Sequence, residues 1–213
     1  METIRVLIAE DHPVFRYGLR SLLSNDPAIE IVSEADGAAS ALSDVERLRP
    51  DVVLLDIRMP GPSGIDVARE LRRHHPDTKV LILTAHDDDE YLLDAVRAGV
   101  HGYLLKNTAH EVLTSAIRQV HAGQRLLTSE QASTVLEQFE VLARKQAREG
   151  SDLTDIELQI LEHLARGDPY SEMSERLYLS EPTIKRKVQG IITKMGVNTR
   201  TQAVAEAIRR GLI

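Results

Sequence analysis

The sequence predicts an α/β chain: a doubly wound, five-stranded parallel sheet followed by a small all-α unit. Two observations carry this. Five short apolar runs (4–9, 28–33, 51–55, 79–83 and 102–105) alternate with amphipathic stretches near 13–24, 38–48, 64–73, 88–97 and 109–121. Runs that are apolar at nearly every position read as strands buried on both faces, and such strands alternating with helices build a parallel sheet. After Gly123 the alternation stops and only helical periodicity remains.

Several helices carry start signals. Asp87 with Glu90 and Thr108 with Glu111 have capping-box spacing, and Ser63 with Asp66 is a weaker version. The acids of Asp87-Asp88-Asp89-Glu90 suit the first turn of a helix, where the macrodipole favours negative charge. Residues 129–147 read as one helix with apolar Val135, Leu136, Phe139 and Leu142, ending in a polar linker that is flexible at Gly150-Ser151. The remainder reads as four helices. Thr154 with Glu157 caps the first, which stops at Gly167. Asp168 and Pro169 start the second as N-cap and first helical residue. Ser180 starts the third, with Pro182 tolerable in its first turn, and Thr199 with Gln202 caps the fourth. The second and third are short and separated only by Tyr178-Leu179-Ser180, as in a helix-turn-helix.

Composition narrows the chemistry. The 213 residues include no cysteine, which excludes disulfides and thiolate catalysis. No apolar stretch approaches the ~20 residues of a membrane span, and the start of the chain lacks a signal-peptide pattern, so a soluble cytoplasmic protein with no membrane partner is expected. The net charge of -7 is uneven. Residues 1–150 hold 17 Lys and Arg against 24 Asp and Glu, whereas 181–213 hold 7 basic residues against Glu181 and Glu206. An acidic part suits metal binding, and a basic end suits a phosphate backbone. The scattered histidines, His12 and His74-His75 among them, lack the four-ligand set of a structural zinc site.

Four of the strands end in polar residues. Val52-Val53-Leu54-Leu55 leads to Asp56, Val6-Leu7-Ile8-Ala9 to Glu10-Asp11, Val80-Leu81-Ile82-Leu83 to Thr84, and Gly102-Tyr103-Leu104-Leu105 to Lys106. In open α/β sheets ligands bind at the carboxyl edge of the strands. Carboxylates this close repel without a counter-charge, which a magnesium-like cation supplies. One Asp56 oxygen would remain free to attack phosphorus, as carboxylates do in forming aspartyl-phosphates. Lys106 can neutralise phosphoryl oxygens and Thr84 can hydrogen-bond one.

The segments Glu10-Asp11-His12-Pro13, Asp56-Ile57-Arg58-Met59-Pro60-Gly61, Thr84 and Gly102-Tyr103-Leu104-Leu105-Lys106 closely resemble the receiver domain of two-component response regulators, over roughly residues 3–121. The resemblance implies that Asp56 accepts a phosphoryl group from a sensor histidine kinase. It implies Mg²⁺ ligation by Glu10, Asp11, Asp56 and the Arg58 backbone carbonyl, and it makes Thr84 and Tyr103 a switch pair. Pro60-Gly61-Pro62 would form a stiff loop beside the site. Arg58 and His86 stand two residues beyond Asp56 and Thr84. Their side chains are expected to overhang the site and set the phosphoryl lifetime.

The helix from Ser180 to Met195 has an inward face of Ile184, Val188, Ile191, Ile192 and Met195, leaving Lys185, Arg186, Gln189 and Lys194 outward. Such a helix fits a major groove, where Lys and Arg read guanine and Gln reads adenine. Leu153-Thr154-Asp155-Ile156-Glu157, Ser180-Glu181-Pro182-Thr183-Ile184-Lys185 and Gly196-Val197-Asn198-Thr199-Arg200-Thr201-Gln202 closely resemble the LuxR-type helix-turn-helix, over roughly 151–213. With the receiver, the chain looks like the NarL/FixJ class of response regulator. By resemblance, Lys185, Arg186 and Gln189 face bases, and Thr183, Lys187, Lys194 and Arg200 are phosphate contacts. The domains implied are a receiver at 1–123, a linker with a helix at 124–150 and the DNA-binding domain at 151–213. The last helix, with Ala203, Val204, Ala207 and Ile208, fits either a dimer contact or packing within its own domain.

One segment departs from the family. Between Gly167 and Met173 relatives carry a small polar cap, then Asn and a basic residue; this chain has Asp168-Pro169-Tyr170-Ser171-Glu172. A phosphate-contacting cation is missing at Ser171 and Asp168 adds negative charge, so weaker non-specific DNA affinity or an altered site preference is expected. The reading that follows is a phosphorylation-controlled transcription factor acting on promoter DNA, a homodimer when phosphorylated. A regulator that signals through protein contacts, with weakened DNA binding, is the alternative. No pocket-forming insertion or second acid/base speaks for an enzyme that turns over an external substrate.

Overall fold

The computed structural model describes residues 3–85 and 88–213. The capping role expected of Asp87 and the overhanging role expected of His86 lie outside the described residues. The chain divides into two compact units, Met1–Val135 and Leu136–Ile213.

In the first unit β1 (Ile4–Ala9), β2 (Ile29–Ala35), β3 (Val52–Leu55), β4 (Lys79–Thr84) and β5 (Gly102–Leu105) form one parallel sheet in the order β2-β1-β3-β4-β5. Helices α1 (Pro13–Leu23), α2 (Ala38–Leu48), α3 (Gly64–His74), α4 (Asp89–Ala98) and α5 (His110–His121) connect and cover the strands. Alternate strand residues point to opposite faces, and both faces are closed. Leu7, Val53, Leu55 and Ile82 pack with α2, α3 and α4. Val6, Ile8, Leu54 and Leu81 pack with Leu19 and Leu23 of α1 and Ile117 and Val120 of α5. Truncating one of these fully buried leucines to alanine costs about 2–5 kcal/mol, a large share of a domain's stability.

This order places a crossover between β1 and β3, the switch point at which such sheets bind ligands. Backbone bonds carry the ladder one residue past the strand ends. The Glu10 N–H donates to the Ala35 carbonyl (3.0 Å), Asp56 to Ala9 (2.9 Å) and Lys106 to Thr84 (2.7 Å). Three of the functional side chains thus start from fixed backbone rather than from free loops.

Ser63 and Asp66 form the expected capping box on α3. The expected box on α5 does not form. Ala109 is its N-cap, and the Thr108 N–H instead closes a turn onto the Leu105 carbonyl at 2.9 Å. The first unit also reaches beyond the last predicted helix of the sheet. The Leu126 N–H donates to the His101 carbonyl (2.8 Å), the Tyr103 N–H to the Leu126 carbonyl (3.3 Å), and Val135 is buried against the α2–α4 side of the core.

Helix α6 (Ser129–Glu149) begins with Thr128, whose hydroxyl accepts from the Gln131 N–H. Its last turn belongs to the second unit: Ala147 packs on that core, and Arg148 donates to the Leu212 carbonyl (2.9 Å) and to Glu162 (2.6 Å). The Gly150 and Ser151 N–H groups are also bonded, to the Gln146 and Arg148 carbonyls, so the expected flexible junction is a hydrogen-bonded turn.

The second unit contains α7 (Asp155–Arg166), α8 (Tyr170–Leu177), α9 (Glu181–Met195) and α10 (Arg200–Arg209) around Ile160, Leu161, Met173, Ile184 and Ile191. Ser180 caps α9 and Thr199 caps α10, as expected. Helix α8 starts one residue later than predicted, with Pro169 as N-cap. Asp168 makes a different bond: its carboxylate meets His163 Nδ1 at 2.6 Å and Arg166 Nε at 3.4 Å. A strong ionic partner in reach outcompetes a single backbone N–H for the same oxygen. Among the described residues no helix is long and apolar enough to cross a membrane.

Candidate functional site

At the carboxyl edge of the sheet, Glu10, Asp56 and Thr84 are almost fully buried. Lys106 reaches in from the end of β5. Its ammonium lies 2.6 Å from Glu10 Oε2 and 2.9 Å from Asp56 Oδ2. The lysine also stands over the Phe15 ring, 4.8 Å from its centre, a cation–π contact.

One ammonium serves two buried carboxylates, and the acidities reflect it. Burial pushes the Asp56 carboxyl up, the Lys106 hydrogen bond pulls it down, and the Glu10 charge adds to the rise, leaving it above the ordinary value. Burial works against the Lys106 ammonium, but the hydrogen bonds to Glu10 and Asp56 outweigh it and hold its pKa above the usual lysine value. The pocket carries more negative charge than its own lysine offsets.

A cluster of possible ligand atoms accompanies that surplus. Ligand atoms of Glu10, Asp11, His12 and Asp56 lie within 4.8 Å of one another. Asp11 Oδ1 is buried without a hydrogen-bond partner. His12 Nδ1 is 2.7 Å from that oxygen, but its hydrogen bond is to Glu10 Oε1 at 2.9 Å. The donor set is mostly hard oxygen, which fits Mg²⁺. His12 is the member that sequence reasoning set aside, although its place next to Asp11 was a signal; the Glu10 hydrogen bond and the Asp11 charge raise its pKa.

The other first-unit residues fall as follows. Tyr103 is buried on β5 in the α2–α4 core. The Arg58 side chain is directed to α4: its guanidinium donates to the Tyr91 hydroxyl (3.2 Å) and stands 5.8 Å from the ring centre. It therefore ties the loop after Asp56 to α4 instead of standing free over the pocket. Gly61 in the adjacent loop has φ +89°, a conformation glycine adopts without strain.

Helix α9 in the second unit buries Ile184, Val188, Ile191 and Met195 and half-buries Ile192. Arg186 and Gln189 are exposed. Lys185 is exposed too, 3.6 Å from Glu181 and 5.6 Å from the centre of the Tyr170 ring. Lys187 is half-buried, the Thr183 hydroxyl bonds that of Ser180 at 2.9 Å, and Arg200 opens α10 exposed. Lys194 behaves differently. Its ammonium grips the buried Glu157 carboxylate of α7 at 2.7 and 3.0 Å, so it braces the fold where a free phosphate contact was expected. Burial opposes the Glu157 charge, but Lys194 and the Thr154 hydrogen bonds prevail and hold its carboxyl below the usual range.

The Asp168 charge is likewise engaged internally, held low above all by the hydrogen bond to His163, while Ser171 stands exposed at the start of α8. On α10, Ala203 and Ala207 are buried in the unit's own core and Val204 packs against it, leaving Ile208 exposed. One face of that helix therefore packs within its own domain.

Comparison with known proteins matches each unit to a known family. Residues 6–118 match the family described as response regulator receiver domain, and residues 151–207 match bacterial regulatory proteins of the luxR family. The chain is similar to the DNA-binding transcriptional activator DevR/DosR of Mycobacterium tuberculosis, 38% identical over 96% of this chain and 94% of that protein. It is similar to the transcriptional regulatory protein DegU of Brevibacillus brevis, 33% identical over 99% of this chain and 95% of that protein. Among solved structures it is similar to the response regulator ChrA of a heme-sensing two-component system, 35% identical over 100% of both chains with a TM-score of 0.54. An acidic pocket at a parallel-sheet edge, a basic helix-turn-helix and these matches together place the chain in the NarL/FixJ family of two-component response regulators, which control transcription by binding DNA.

Proposed function

We propose that Asp56 is the phospho-acceptor and that its donor is the phosphohistidine of a sensor histidine kinase. The observation that carries the proposal is the Lys106 ammonium held between the buried Asp56 and Glu10 carboxylates. An Asp56 oxygen attacks phosphorus, an O–P bond forms, the P–N bond of the donor breaks, and the imidazole departs. Lys106 neutralises the phosphoryl oxygens, and the Thr84 hydroxyl hydrogen-bonds one of them. Glu10, Asp11, Asp56 and the Arg58 carbonyl would hold Mg²⁺, which supplies charge neutralisation to the transferring group. The surplus of carboxylate over ammonium and an Asp11 oxygen that accepts no hydrogen bond support that donor set.

Transfer replaces a monoanion at Asp56 with a more highly charged group. Thr84 moves to bond it, and Tyr103 follows into the space vacated, which biases the receiver between two states. The domains proposed are the receiver at 1–123, the helix-bearing linker at 124–150 and the DNA-binding domain at 151–213. Lys185, Arg186 and Gln189 would face bases from α9, and Thr183, Lys187 and Arg200 would contact phosphates. Phosphorylation favours a homodimer on promoter DNA, since adjacent half-sites reward two-fold symmetry. The protein acts in the cytoplasm, as a switch rather than as an enzyme with an external substrate.

A gel shift on the chain's own promoter DNA tests this reading. Phosphodonor and Mg²⁺ should strengthen the shift in the parent and leave Asp56→Ala unchanged. An equal response from both would contradict it.

A further inference from the structure

Tyr170 opens α8, and its ring touches two parts of the second unit. It is half-buried against the apolar core, which fixes it in place. It also meets the outward surface of α9, where the Lys185 ammonium stands over it, 5.6 Å from the ring centre. The Glu181 carboxylate, one turn earlier on α9, lies 3.6 Å from the same ammonium. Helical side chains lean toward the helix N-terminus, so attraction to Tyr170 and Glu181 holds Lys185 over the first turn of α9. Among the described residues no other cation of α9 stands over an aromatic ring.

Neither contact consumes what the lysine needs to read a base. The ring face attracts the charge without taking a conventional hydrogen bond, and 3.6 Å is too long for one to Glu181. The N–H donors of the ammonium therefore stay available to acceptor atoms in a major groove. What the contacts remove is freedom. A lysine stem has much rotamer entropy to lose, and a side chain already confined in the free protein loses less on binding. The ring is the stiffer restraint, because the half-exposed Glu181 side chain has rotamers of its own to lose. We infer that Tyr170 is a specificity-determining positioning residue: its ring aims Lys185 and so sets how sharply the protein distinguishes the base that Lys185 faces. The assignment rests on the proposed base-facing role of Lys185 and adds to it the residue that controls it. No such ring restrains the exposed Arg186, so discrimination at its base is independent of position 170.

The test uses the phosphorylated full chain, its own promoter site and every single-base-pair substitution of that site, with Kd measured for each. The position that Lys185 reads is the one whose substitution penalty disappears in Lys185→Met. There, Tyr170→Leu should shrink the penalty about two- to fivefold, as expected for loss of one exposed cation–π contact, and leave the penalties elsewhere as in the parent. Tyr170→Phe keeps the ring and should match the parent. In a Lys185→Met background Tyr170→Leu should change no penalty. Tyr170→Met repeats the measurement with a second ring-free side chain, so a folding defect particular to one variant does not decide it. A ring that serves only the core would, when removed, lower affinity for all sites by one factor and leave the penalties intact; that result overturns the inference. So does a Tyr170→Phe that behaves like Tyr170→Leu, or a Tyr170→Leu that sharpens discrimination. If Lys185→Met spares every penalty, the base-facing role of Lys185 falls and this inference with it, an outcome distinct from the failure of Tyr170 alone.

Discussion

Lys194 and Glu157 join two helices of the second unit: the ammonium near the end of α9 holds a buried carboxylate in the first turn of α7 at 2.7 and 3.0 Å. Glu157 also caps its own helix, accepting from the Thr154 N–H at 2.8 Å. One carboxylate thus sets the start of α7 and the seat of α9. Replacing Lys194 with Met leaves that charge buried and unpaired. A fully buried broken pair costs about 3–5 kcal/mol, and the partial exposure of this lysine lowers the expected loss to about 1–3 kcal/mol. Thermal melts of the full chain, following the second unit, measure it; a change within error would show that the pair is not structural.

The same pair predicts acid sensitivity. The Glu157 carboxyl is lowered in the folded state, so its contribution is complete above the ordinary glutamate value and is lost as pH falls through the lowered one. Melting of the second unit should therefore decline below about pH 4.5, and Glu157→Gln should flatten that decline.

His101 gives the first unit a different window. Burial above all, with Lys79 and Arg125 nearby, lowers its pKa to about 4, and its Nδ1 accepts the Val80 N–H at 3.2 Å. The unfolded chain takes up a proton below about pH 6.5 while the folded one does not. Stability of the first unit should fall between about pH 6.5 and 4 and level off beneath, a loss of up to about 2 kcal/mol after allowance for partial exposure. His101→Asn keeps an acceptor for Val80 and should remove the slope; an unchanged slope would place its origin elsewhere.

Gly64 opens α3 with its N–H donating to the Ile57 carbonyl (2.8 Å), and a methyl group there would lie 2.0 Å from the Asp56 carbonyl oxygen. The obstruction is backbone and cannot rotate aside. Gly64→Ala should destabilise by about 1–3 kcal/mol, as overpacking does, and should slow phosphorylation by displacing Asp56. Gly18→Ala, with open space around it, is the control.

Ser171 is exposed at the start of α8, and the Asp168 charge beside it is engaged by His163 and Arg166. The missing cation is therefore the main expected defect toward DNA. Ser171→Lys should steepen the salt dependence of DNA binding by about one unit of log–log slope. Equal slopes for variant and parent would remove this position from the interface.

Much of this was legible beforehand, for physical reasons that also mark the limits. Doubly buried strands announce themselves as unbroken apolar runs, and the polar residue that ends each run marks the sheet edge; Glu10, Asp56, Thr84 and Lys106 follow directly. Bonds between residues far apart in sequence carry no local pattern. Lys194 looked like one more outward base until Glu157, 37 positions away, was placed beside it. Asp168 has a good N-cap sequence, yet a histidine one turn back in α7 captures its carboxylate. The Thr108 spacing was equally good and lost to a turn already closed by its backbone. Val135 gave no sign that it belonged to the sheet's core rather than to the linker helix.

Mass spectrometry of the protein after treatment with acetyl phosphate and Mg²⁺ tests the central claim most directly. The account predicts one added phosphoryl group per chain, carried by Asp56, absent when the metal is chelated and absent in Asp56→Ala. No label, or a label on a different side chain, would contradict it.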